Sequence, residues 1–229
     1  MKLSGKVALV TGANRGIGFE VCRQLGAEGA TILLGVRRQG EETLQALSRQ
    51  GYPAEIVYMD VSNSSSIMDA LGRLNKEVDI LINNAAVLDR GDLFSVSGKE
   101  IETVAKTNLL GPLLLTRQLA DDMRKRNWGR IVNVSSGMGA ISRGLGSESV
   151  AYRITKLALN GLTICLAADL RNSGVLINSV DPGWVRTSMG GEMAQRTPAE
   201  GARSIVNVVL LPDNGPSGFF FRDGRKVDW

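Results

Sequence analysis

Histidine is absent from the 229 residues of this chain. That absence removes Ser-His-Asp hydrolysis and histidine-ligated metals, so no metal is expected and a general acid must be a Tyr, a Lys or a carboxylic acid. Cysteine is scarce: Cys22 and Cys165 are the only two. Both lie in apolar helical patterns without metal or redox spacing, which predicts buried free thiols and a reducing interior. No apolar run approaches the ~18 residues a membrane span needs. The opening Met1-Lys2-Leu3-Ser4-Gly5-Lys6 runs at once into an apolar strand, leaving no room for a secretory leader and pointing to a cytoplasmic protein. Repeats, linkers and low-complexity tracts are missing, so residues 1–229 read as a single domain. The net charge of +4 is dispersed. It suits phosphorylated small molecules better than a nucleic-acid or membrane surface.

What the chain does have begins at Val7-Ala8-Leu9-Val10-Thr11-Gly12-Ala13-Asn14-Arg15-Gly16-Ile17-Gly18. An apolar strand meets a glycine-rich turn, and a helix continues through Leu25. Helix N-termini carry unpaired N–H groups and partial positive charge, so a phosphate docks there naturally. Gly12 lets the strand turn, Gly16 removes a Cβ where backbone must approach a pyrophosphate, and Gly18 lets helix and strand pack closely. Asn14, Arg15 and Ile17 fill the positions between them. The context predicts dinucleotide binding.

Six further apolar runs read as strands: Ala30–Val36, Ala54–Met59, Val78–Ile82, Arg130–Val134, Val175–Val180 and Gly218–Phe221. Helical patterns alternate with them at 40–49, 62–76, 98–109, 112–126, 150–171 and 198–210. Continuous apolar strands alternating with amphipathic helices predict an α/β fold: a Rossmann-type, doubly wound, parallel seven-stranded sheet with helices on both faces. Polar or Gly-rich clusters follow each of the first six strands, at the rim where such sheets bind ligands.

Two constellations carry chemistry. Where an NAD-binding domain places an acid against the ribose 2′-hydroxyl, this chain has Arg37 and Arg38. Together with Arg15 they suit a 2′-phosphate, which predicts NADP(H). Tyr152 and Lys156 stand one helical turn apart on one face. The ammonium is expected to lower the Tyr pKa from ~10 and fit the phenol for proton transfer to a carbonyl oxygen. Ser135 and Ser136 end the strand before it; neighbours on a strand face opposite ways, so one faces the cleft and the other packs.

With Thr11-Gly12-x-x-x-Gly16-x-Gly18, Asp60-Val61, Asn83-Asn84-Ala85, Thr107-Asn108, Ser136, Tyr152-x-x-x-Lys156 and Pro182-Gly183-x-x-x-Thr187 in this order, the chain resembles the short-chain dehydrogenase/reductases over nearly its whole length. Within that family it is most similar to the carbonyl reductases, on Pro182-Gly183-Trp184-Val185-Arg186-Thr187 and the tail from Gly215 to Trp229. The resemblance implies an NADPH-dependent reductase of small-molecule carbonyls. Tyr152 would be its acid/base, Lys156 would hold the nicotinamide ribose, and Ser136 would place the substrate carbonyl. Asn108, in a distorted helical segment, would hold a water relaying protons to Lys156. Asp60 and Val61 would contact the adenine, Asn83 and Ala85 the adenosine side, and Val185 with Thr187 the carboxamide. Ala86 stands where the family usually has Gly. The segment 188–196 is short for a substrate lid and reads equally as lid or plain loop. A 3-oxoacyl-carrier-protein reductase and a non-catalytic NADP-binding regulator are the alternatives. Monomer, homodimer and homotetramer all fit the resemblance.

Overall fold

A computed structural model describes residues 1–229. Eight strands form one sheet in the order β3-β2-β1-β4-β5-β6-β7-β8. They are β1 (Val7–Thr11), β2 (Thr31–Val36), β3 (Ala54–Tyr58), β4 (Ile80–Asn83), β5 (Gly129–Val134), β6 (Val175–Val180), β7 (Phe220–Arg222) and β8 (Arg225–Val227). All neighbours are parallel except β7 and β8, which form an antiparallel hairpin. The sequence predicts seven strands; the eighth is three residues of charged chain, Arg225-Lys226-Val227, with no apolar pattern to announce it.

The period of two that marks a strand sorts the side chains onto two faces. Ala8 and Val10, Ile32 and Leu34, and Ile80 and Ile82 enter one core with α1 (Gly16–Ala27) and α7 (Pro198–Val209). Leu9, Leu33 and Leu81 enter the other, which includes Ile67 of α3 (Ser64–Gly72) and Leu115 and Met123 of α5 (Gly111–Lys125). The remaining helices are α2 (Glu41–Arg49), α4 (Gly98–Ala105) and α6 (Val150–Asp169). None is long and apolar enough to cross a membrane.

Two expectations need correction. The separate helices 98–109 and 112–126 are one continuous run, because the chain bridges Lys106–Leu110 with a π-turn. Pro112 has no N–H to give the carbonyl four residues back, and the N–H of Gly111 reaches five residues back to Lys106. Cys22 is buried as expected, but Cys165 on α6 is exposed.

Strand order reverses direction between β1 and β4, and their carboxyl ends are tied together there. The Thr11 hydroxyl donates to Ile82 O at 3.2 Å and accepts the N–H groups of Asn84 and Ala85 at 3.0 Å each. Asn84 Nδ2 donates to Thr11 O at 2.8 Å. This junction is the topological switch point where open α/β sheets bind ligands.

Candidate active site

A cleft of about 980 Å³ opens over that junction, lined by the segments after all six of the strands β1 to β6. Gly12, Asn14, Arg15, Gly16, Ile17 and Gly18 form one wall, Arg37, Arg38, Asp60 and Val61 the next, and Ala85 the floor. Ser136, Tyr152, Lys156, Pro182, Gly183, Val185 and Thr187 complete it. Gly12 and Gly16 have φ of +65° and +55°, a left-handed conformation that glycine adopts freely. A Cβ on Gly18 would lie 2.2 Å from Gly12 O, so helix and turn touch as the sequence implies.

The donor set at this wall fits a dinucleotide phosphate. Helix α1 starts without a side-chain cap and without an acid in its first turn, leaving its leading N–H groups and dipole to a ligand. Arg15 and Arg38 are exposed, and Arg37 reaches only a 3.9 Å approach to Asp60 Oδ2. Burial alone would raise the Asp60 pKa, but bonds from the Ser62 hydroxyl and amide, with Arg37 and Arg38 nearby, hold it below the usual carboxylate value.

Ser136, Tyr152 and Lys156 meet at the other end. Ser135 packs as expected, buried with its hydroxyl on Lys156 O at 3.4 Å. Ser136 accepts the Met138 N–H at 3.1 Å, which leaves its own proton to donate into the cleft. The Tyr152 ring is 8% exposed and Lys156 2%. Lys156 Nζ lies 5.5 Å from the Tyr152 ring centroid and donates to Val134 O at 2.7 Å. The expected lowering of the Tyr pKa does not occur in this arrangement. Burial pushes Tyr152 up to about 12, with a hydrogen bond from Ser136 working against it and the Asp181 charge adding to it. Burial pushes Lys156 down to about 7, so it is not the fixed ammonium that the sequence argument assumes.

Two expected site residues have their side chains elsewhere. Asn83 is buried beneath the cleft, donating to Asn133 Oδ1 at 2.8 Å and Thr116 Oγ1 at 3.3 Å; Asn84 and Ala85 face the cleft instead. Asn108 does lie in a distorted helix, the π-turn. Its side chain is spent on Val87 N and O, both at 2.9 Å, and on Thr155 Oγ1 at 3.2 Å. Pro112, four residues on, has no N–H to give the Asn108 main-chain oxygen.

Asp89 escapes the sequence reading, although its place matters. Its carboxylate is 4% exposed and accepts the N–H groups of Tyr152 at 2.8 Å and Ala151 at 3.3 Å. Ser149, the local cap position of α6, is left-handed and makes no capping bond, so a residue sixty positions away caps the helix that carries Tyr152. A missing local cap before Val150 is the one signal the sequence offers. The segment 188–196 is closed at its base by a bridge between Val185 and Arg196 and by Trp184 Nε1 donating to Gly190 O at 2.8 Å. Within it Met193 is 83% exposed and Ala194 buried, so the tip is free and the base pinned.

Residues 6–198 match the sequence profile described as short chain dehydrogenase. Carbonyl reductase (NADPH) 1 of Sus scrofa is 30% identical, over 100% of this chain and 96% of its own length. The 3-oxoacyl-(acyl-carrier-protein) reductase FabG of Aquifex aeolicus is 35% identical over 85% of this chain and 80% of its own. Among solved structures, NADPH-bound carbonyl reductase from chicken fatty liver superimposes with a TM-score of 0.89 at 27% identity, covering 99% of this chain and 95% of that one.

Proposed function

This chain belongs to the short-chain dehydrogenase family, and on that premise we propose that it is an NADPH-dependent reductase of aldehydes and ketones. One observation carries the reading: buried Tyr152, Ser136 and Lys156 share a single cleft with the uncapped N-terminus of α1 and with Arg15, Arg37 and Arg38. Arg15, Arg37 and Arg38 hold the 2′-phosphate side, Asp60 and Val61 the adenine, Ala85 the adenosine side, and Val185 with Thr187 the carboxamide. Bound NADPH supplies the hydride. All 229 residues serve as one domain around this site.

The chain's own residues do the rest. Ser136 turns the proton that it otherwise gives Tyr152 to the substrate carbonyl oxygen and fixes its direction. Tyr152, kept protonated by burial, gives its proton to that oxygen as negative charge develops. Lys156, whose ammonium form burial disfavours, binds ribose hydroxyls and returns a proton toward Tyr152. The Asn108 carbonyl oxygen holds the water behind it. Removing any of these groups loses orientation together with proton transfer.

The full-length match to carbonyl reductase favours this reading over a carrier-protein reductase, whose relative aligns with 85% of the chain. A non-catalytic NADP-binding regulator has no use for the Tyr152 and Lys156 geometry. Exposed Leu110, Ile154 and Ile164 mark the helical face where a second copy would pair. The test is NADPH oxidation with benzaldehydes, quinones and acetoacetyl thioesters, repeated with NADH. Reduction of simple carbonyls with preference for NADPH is expected; turnover of thioesters alone supports the carrier-protein alternative, and no turnover of any carbonyl refutes the proposal.

A further inference from the structure

The cleft contains a second set of arginines, apart from those beside the glycine turn. Arg143 follows β5 and Arg222 ends β7, and both line the cleft at the Tyr152 end. Between them lies Asp181, 3% exposed. Its Oδ2 accepts from Arg143 Nη1 at 3.1 Å and from Arg222 Nη1 at 3.3 Å, and its Oδ1 takes the Gly183 N–H at 2.9 Å. One carboxylate therefore answers two guanidinium groups. The nearest other acid, Asp223, is engaged by Arg196 at 2.6 and 3.2 Å and comes no closer than 3.9 Å to Arg222. Arg143 thus has no ion pair besides the one it shares with Arg222.

The donors are placed for use. Each guanidinium carries five N–H groups and spends one on Asp181, so an outer edge stays free on both. Their side chains are 38% and 36% exposed. A Cβ on Gly137 would lie 2.5 Å from Arg143 Nη1, so this head rests on the backbone directly after Ser136. The turn bearing Arg143 is fastened by the chain's end: Ser142 N donates to Trp229 O at 2.8 Å and Ser142 Oγ to Asp228 O at 3.3 Å. Two guanidinium groups that share one carboxylate repel each other, and here, unlike at the surface pairs, their free edges face the cleft, where an anionic ligand relieves that repulsion.

We propose that Arg143 and Arg222 recognise a carboxylate on the substrate, so that the preferred substrates are oxo-acids whose carbonyl meets Tyr152 and Ser136 while the acid group sits on this pair. The proposal rests on the reading of the site as a carbonyl reductase and names the substrate class within it.

The experiment compares 3- and 4-formylbenzoate with their methyl esters at low ionic strength, following NADPH oxidation. The acid-over-ester ratio of kcat/KM is expected to be about tenfold or more for at least one isomer and to shrink as salt rises. Arg143→Gln and Arg222→Gln each bring the ratio toward one, and Arg143→Glu inverts it. Equal acid and ester rates, or a ratio unaltered in Arg143→Gln, overturn the proposal while leaving carbonyl reduction intact. Weaker NADPH binding in Arg143→Gln with an unchanged ratio assigns the guanidinium to the cofactor and also overturns it. If no aldehyde is reduced, the catalytic reading fails. Calorimetry then decides the site: 4-formylbenzoate binding to the wild type and not to Arg143→Gln supports it, and no binding overturns it.

Discussion

Replacing Asp89 with Ala tests whether a distant carboxylate holds the catalytic helix in place. The substitution deletes the acceptor of two N–H groups, Tyr152 at 2.8 Å and Ala151 at 3.3 Å, at a site that is 4% exposed. Loss of an N-cap costs about 0.5–2 kcal/mol, and loss of a hydrogen bond to a charged group about 1.5–3 kcal/mol. These figures describe the same contact, so they overlap and do not add; two buried amides without water put the cost near the top, at about 2–3 kcal/mol. For a chain of this length each kcal/mol moves Tm by about 2–4 °C, so Tm falls by about 5–10 °C. Asp89→Asn keeps one acceptor oxygen without its charge and recovers about half of that loss. The first turn of α6 also carries Tyr152, and misplacement by about 1 Å costs up to about 100-fold in rate. The expected pattern is therefore a kcat reduced by tenfold or more in Asp89→Ala, with partial rescue in Asp89→Asn and little change in NADPH affinity. Thermal unfolding by circular dichroism and steady-state kinetics read both effects. An Asp89→Ala protein that melts within about 1 °C of wild type and turns over at its rate refutes the anchoring role.

Gly18→Ala places a Cβ 2.2 Å from Gly12 O; the turn must open, costing about 1–3 kcal/mol and weakening NADPH binding at least tenfold by titration. Arg37→Asp removes a cation beside Asp60 and supplies an acid for a ribose hydroxyl, so the NADPH/NADH ratio of kcat/KM falls by about tenfold or more; an unchanged ratio assigns the 2′-phosphate elsewhere. Lys156 titrates near 7 in the folded protein and near 10.5 unfolded, so between those values the unfolded chain binds more protons and stability rises with pH. Urea unfolding without added dinucleotide should show about 1 kcal/mol gained from pH 7 to 8, below the range where the buried Cys22 thiol, raised by desolvation, subtracts stability, and Lys156→Met abolishes that gain. The lowered carboxylates do not blur this slope, because their contribution is complete well below pH 7. Tyr152 subtracts stability only above its unfolded value of about 10.

Elements whose pattern comes from burial on both faces were legible in the sequence: β6 has the predicted bounds Val175–Val180, and β1 with its glycine turn stands where it was read. Elements decided by tertiary context were not. Lys106–Leu110 has the helical pattern of its neighbours, and Pro112, without an N–H for the carbonyl four residues back, is the one local sign of the π-turn. Cys165 shares the apolar run of α6, yet that helix turns this position to solvent. The motif residues reached the cleft where a side chain follows a strand's end, as with Ser136, Arg37 and Asp60. Asn83 did not, because it is still on β4, one residue short of the rim, and points into a buried polar chain with Asn133. Tyr152 and Lys156 depart from the pKa directions that their spacing predicts, because spacing reveals the charge partner, whereas desolvation depends on burial that only the folded chain shows. Asp89, Arg143 and Arg222 make their contacts across long sequence separations, from loops and from the last residue of β7, where no periodicity marks a partner.

On the proposed function, one phenol in this cleft delivers the proton that completes carbonyl reduction. Tyr152→Phe removes that hydroxyl and leaves the ring, the glycine turn and the arginines in place. The account predicts that NADPH binding, measured by fluorescence titration, stays within about threefold of wild type while kcat for an aldehyde that the wild type reduces falls by at least about 10²-fold. Turnover within about tenfold of wild type, with NADPH bound normally, would contradict it.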